Sequence, residues 1–166
     1  MKKITFALFA LIAGTTFAQN STSDTGTATV NAEIVSPISI SDGSDLDFGR
    51  IIGNAAGGTV TVATDGQRTT DNSDLLAPST TVQAASFTVN AAKDYNYKVE
   101  FSSLSLSDIA SVGADMPVTF TSSLGTEHIL GTGADQTLTV GGALTVNANQ
   151  AEGKYTGEVT VTVAYE

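Results

Sequence analysis

The chain has no cysteine and no tryptophan, three prolines, one histidine and seven basic residues among 166. Each shortage excludes something. Without cysteine there is no disulfide, no cysteine-ligated metal and no lipid carried on a thiol. His128, in Thr126-Glu127-His128-Ile129, has no second histidine to share a metal, and reads as a surface or packing residue rather than a catalyst. Seventeen acids against seven bases leave a net charge of −10, which repels nucleic acid and anionic lipid. The missing tryptophan removes the usual sugar-stacking platform, leaving Tyr95 and Tyr97, on one strand parity, as the only candidate pair. No phosphate loop, nucleophile elbow or zinc motif is present. The chain reads as non-enzymatic, with no cofactor.

What is there begins with Met1-Lys2-Lys3, the apolar run Ile4 to Ala13, and small residues at Thr16 and Ala18. This pattern predicts a signal peptide over residues 1–18 and Gln19 as the first mature residue. A buried strand at this place would leave both lysines unexplained. The apolar run is too short to span a bilayer, and no other stretch comes close. The expectation is therefore export, through the periplasm to the cell surface or beyond. Loss of Lys2 and Lys3 makes the mature chain more acidic still, and its 148 residues suit one domain.

Residues 19–27 are a Ser/Thr-rich polar extension. From Ala28 a period of two starts: Ala28, Val30, Ala32 and Ile34 on one side, Thr29, Asn31 and Glu33 on the other. Further strands are expected at Leu46 to Ile52, Gly58 to Ala63, Ala85 to Asn90, Tyr95 to Phe101, Pro117 to Thr121, Thr137 to Val140 and Ala143 to Asn147. Lys93-Asp94 and Gly141-Gly142 read as turns between neighbours, and Leu104 to Val112 has mild helical character. The last segment, Tyr155 to Tyr165, carries Val159, Val161, Val163 and Tyr165 on one parity. About nine short strands with turn signals every 8–12 residues predict an all-β, immunoglobulin-like antiparallel sandwich over residues 28–166. A small barrel is the runner-up. The Asp42, Asp45 and Asp47 cluster could hold calcium but lacks the order of a calcium loop, and reads as a turn entering a strand.

Leu46-Asp47-Phe48-Gly49-Arg50, Ala85 to Val89, the Thr137 to Val146 segment read as a hairpin, and Asn149 to Gly157 together resemble the bacterial family catalogued as domain of unknown function 4402. That layout is similar to the spore coat protein U domain and to major subunits of archaic chaperone–usher pili. Two departures stand out: the paired cysteines usual in the spore coat relatives are missing, and polar residues precede the alternating strand. The resemblance implies a pilin-like subunit, structural or adhesive, that assembles by strand addition. Such subunits carry a glycine fourteen places from the C-terminus and a penultimate aromatic, which Gly153 and Tyr165 match. Val159, Val161 and Val163 would meet a partner strand, and Ala28, Val30, Ala32 and Ile34 would supply one. Implied partners are further copies, other surface subunits or a periplasmic chaperone. A self-contained secreted sandwich that binds protein or glycan stays open, because alternation looks the same whether a strand pairs within its chain or outside it.

Overall fold

The structure is a computed structural model that describes residues 23–78 and 80–166; the expected signal peptide lies outside the described residues. Residues 1–33 and 34–166 are two separate units. In the first, Ser23 to Glu33 are exposed and form neither strand nor helix. The strand expected from Ala28 is therefore not formed. Among the described residues all the strands lie in the second unit: β1 Ser39–Ser44, β2 Gly58–Val62, β3 Arg68–Thr70, β4 Ala85–Asn90, β5 Asn96–Phe101, β6 Leu104–Asp108, β7 Met116–Ser122, β8 Ile129–Leu130, β9 Asp135–Val146, β10 Tyr155–Thr156 and β11 Val161–Tyr165.

The fold is an all-β antiparallel sandwich. One sheet runs β1-β4-β9-β7-β6-β10, with β2 and β3 extending it beside β9, and the other runs β11-β5-β8. Alternation explains the core. Val60, Val62, Val89, Leu138, Val140 and Leu144 point inward and are essentially sealed from water. They divide between two apolar clusters, one around Phe48, Val118 and Leu144, the other around Tyr97, Val99 and Leu138. Among the described residues, no helix is long and apolar enough to cross a membrane.

Four local readings are corrected. Gly141-Gly142 is no turn: β9 runs unbroken for 12 residues through both glycines, pairing β4 and then β2 along one edge and β7 along the other. Leu104 to Asp108 is a strand, because Leu104, Leu106 and Asp108 alternate with Ser105 and Ser107 in a period of two. Leu46 to Ile52 makes only two isolated bridges, Asp47 to Gln83 and Ile51 to Leu76. Here local bonds compete with a ladder: the Asp47 carboxylate accepts from the Gly49 N–H at 2.8 Å, and Gly49 sits at φ +72°. Finally, Tyr155 to Tyr165 is not one strand, since β10 joins β6 in the large sheet and β11 joins β5 in the small one. The Lys93-Asp94 turn is present, with Asp94 at φ 66°.

Candidate functional site

The chain leaves the large sheet at Gly157 and enters the small one at Val161, so β11 begins where the two sheets part. Its ladder with β5 is antiparallel, from Val161 opposite Phe101 to Tyr165 opposite Tyr97. At its ends the Ser102 N–H donates to the Thr160 carbonyl (3.0 Å) and the Glu166 N–H to the Asn96 carbonyl (3.1 Å). Even-numbered residues thus spend their backbone groups on β5, and Val161, Val163 and Tyr165 turn theirs outward. Among the described residues no strand lies on that side. The side chains of Val161, Val163 and Tyr165 pack on the second cluster but remain only half-buried.

A cleft of about 1730 Å³ opens between two stretches of chain, Asp42 to Ile51 and Gln150 to Val159, the second of which leads into β11. Its floor is the core itself: Leu144, Val146, Met116 and Val118, flanked by the half-buried Leu46, Leu104, Leu106 and Phe120. The floor residues are themselves buried, so the apolar surface left wet is that of the half-buried flanking ones, at a cost of about 25 cal/mol for each Å².

Side chains hold both walls. Arg68 donates through Nη1 to the carbonyls of Phe48 and Arg50 (both 3.0 Å) and through Nη2 to that of Ala77 (2.9 Å). One guanidinium fork thereby fixes the wall that lacks a ladder. On the opposite side, Tyr155 donates to the Ala151 carbonyl at 2.9 Å and accepts from Gln150 Nε2 at 2.9 Å. Beneath it the buried Asp108 carboxylate accepts from the N–H groups of Ala110 (3.1 Å), Val112 (3.1 Å) and Gly113 (3.0 Å). These three bonds, that of Ala110 foremost, hold the Asp108 carboxyl below its ordinary range.

A pH prediction follows from that depression. The charged form stabilises the fold fully above the unfolded carboxylate pKa of about 3.9 and progressively less as pH falls through the lower folded value. Asp108→Asn should lower Tm by several degrees at pH 7, and the gap to wild type should close in strong acid. A gap that does not narrow on acidification would assign the loss to packing.

The positions read from sequence fall unevenly on this geometry. Val159 lines the cleft, and Val161, Val163 and Tyr165 lie on the free-edged strand. The Tyr165 hydroxyl accepts from the Ala92 N–H (2.7 Å) and donates to the Ser36 carbonyl (2.9 Å). Gly153 is exposed and precedes β10; a Cβ there would stand 2.8 Å from Asp108 Oδ1, which accounts for the glycine. Ala28, Val30, Ala32 and Ile34 lie outside every strand, Val30 91 % and Ile34 98 % exposed. Asp42 lies in β1 and Asp45 and Asp47 beyond it, and among the described residues no three metal-ligating side chains converge. The exposed His128 pairs with Glu166 at 2.8 Å. The tyrosine platform does not exist: Tyr97 is fully buried, while Tyr95 meets the Tyr165 ring edge-on at 6.0 Å. Arg68 and Asp108 were not singled out by sequence, and only the Leu106-Ser107-Asp108 alternation could have marked the second as inward-facing.

No curated protein and no solved structure matches the chain. The family described as Domain of unknown function (DUF4402) matches residues 38–165, from just before β1 to the end of β11, and the chain belongs to that family.

Proposed function

We propose that this protein is a secreted, non-enzymatic surface subunit that completes its sandwich with a strand from another chain. One observation carries the reading: β11 has a free edge, and the segment that leads into it, Gln150 to Val159, lines a cleft whose floor is the hydrophobic core. Unpaired backbone groups and wet apolar side chains together favour an inserted β-strand, which satisfies both at once. The chain itself contains a suitable donor. Ala28 to Ile34 alternates apolar with polar, spans about 23 Å when extended at 3.3 Å per residue, and exposes Val30 and Ile34 almost completely. An exposed alternating segment on each copy and an open cleft on each copy allow a head-to-tail contact, which generates an open polymer when the rotation between copies does not close a ring. A chaperone strand would hold the same cleft before assembly.

Removing residues 19–34 should yield a domain that is exported but absent from multimers, and a peptide of residues 28–34 should bind it and raise its Tm. Full-length protein should run as a ladder of multiples in a detergent gel without heating and collapse to monomer after boiling. A single sharp monomer at high concentration, with no response of the truncated domain to the peptide, would reject strand addition.

A further inference from the structure

Strand addition leaves the outward face of the large sheet unused. Its registers bring hydroxyls into rows: Ser41, Thr88 and Thr137 lie side by side across β1, β4 and β9. On the far side of Gly141, Thr69, Thr61 and Thr119 form another row, interrupted only by Ala143. Rows of this kind repeat about every 4.8 Å between strands and about 6.7 Å along each strand. Among the outward residues of these strands the only charge is Asp135, at the margin and bonded to Asn90 (2.9 Å). The other sheet differs, turning Lys98 and Glu100 outward as an ion pair at 2.6 Å.

The hydroxyls of these rows are also unspent. Elsewhere Ser and Thr hydroxyls serve the backbone: Thr70 donates to the Thr59 carbonyl (2.8 Å), Ser102 accepts from the Thr160 N–H (2.9 Å), and Ser123 accepts from the Thr139 N–H (3.0 Å). The side chains of Ser41, Thr88, Thr137, Thr61 and Thr119 make no hydrogen bond to the described residues. Each keeps one donor and two acceptor positions, held in direction by the strand and, for threonine, by a stiff χ1.

We infer that this face binds an uncharged polyhydroxylated polymer, a neutral polysaccharide, by hydrogen bonding rather than by aromatic stacking. Charge decides the class of partner. At −10 the chain repels anionic polymers, and a cationic partner would meet the carboxylates elsewhere in preference to a face whose one carboxylate, Asp135, sits at its margin. A neutral polyol meets no repulsion and exchanges hydroxyl–water bonds for hydroxyl–hydroxyl bonds across a rigid array.

The test is sedimentation of full-length protein with three insoluble neutral probes: microcrystalline cellulose, β-1,3-glucan particles and cross-linked dextran. Wild type should leave the supernatant with at least one, and 0.5 M NaCl should not release it. Replacing Thr69, Thr119 and Thr137 together by Val removes hydroxyls from exposed positions of both rows while favouring the strand, and should weaken retention at least about tenfold. The companion triple Asp variant should lose retention entirely. In both, an unchanged detergent-gel ladder keeps this inference separate from strand addition. Failure of wild type to sediment with any probe overturns it, as does full retention of the Val variant. Side-by-side bundling of wild type without polysaccharide would identify a second copy as the occupant and overturn it equally.

Discussion

Gly141→Val is expected to prevent folding. Gly141 is the centre of the longest strand, opposite Thr121, and the backbone of Val62 to Thr64 passes directly over it. A Cβ there would collide with the Val62 carbonyl oxygen and crowd the Ala63 carbonyl carbon and the Thr64 nitrogen, at 2.9 and 3.0 Å. Those are backbone atoms and cannot rotate away. Neighbouring Gly142 is different: its Cβ would meet Leu46 Cδ2 at 3.0 Å, Phe48 Cζ at 3.2 Å and Val118 Cγ1 at 3.3 Å, all ends of side chains with room to adjust. Gly142→Ala should therefore cost about 1–3 kcal/mol, the usual range for overpacking, and Gly141→Val more than that. Urea unfolding midpoints decide it. Equal midpoints for wild type and Gly141→Val would mean that the glycine pair is a turn after all.

The glycine pair shows what in this fold was legible and what was not. Strands β2, β4, β5 and β7 were visible because apolar or aromatic residues alternate with mostly polar ones over five or more positions, a purely local signal. A glycine pair sends the same local signal whether the chain reverses there or another segment crosses it closely, and only the position of Val62 to Thr64 distinguishes the cases. Leu104 to Asp108 failed for a related reason, as serine and leucine are compatible with either period over so short a run. The change of sheet between Thr156 and Val161 was equally hidden, since alternation continues through it although the strand does not. For the candidate site, Val159, Val161, Val163 and Tyr165 were readable as an apolar parity. Arg68 and Asp108 were not, because their roles depend on carbonyls and N–H groups brought together from distant or irregular segments.

Val161→Asp is expected to abolish multimers while Thr160→Asp leaves them nearly intact. Val161 opens β11 opposite Phe101, its side chain on the second cluster and its backbone groups facing the free edge. In the isolated domain this side chain is half-buried, so a carboxylate there keeps part of its hydration and the domain can still fold with reduced stability. Covering the edge with another strand removes the remaining water, and an unpaired buried charge then opposes insertion strongly. The cost therefore falls mainly on association. Thr160 is exposed on the opposite parity, contributing its N–H to Ser102 Oγ and its carbonyl to the Ser102 N–H, neither of which depends on its side chain. A loss of the ladder of at least about tenfold for Val161→Asp corresponds to about 1.4 kcal/mol or more in association. The measurement is the pair of quantities for each variant, Tm of monomer and ladder intensity from the cell surface. Strand addition requires Val161→Asp to lose proportionately more ladder than Tm. If both variants fall together, or if Val161→Asp loses stability but keeps its ladder, the free edge of β11 is not where chains meet.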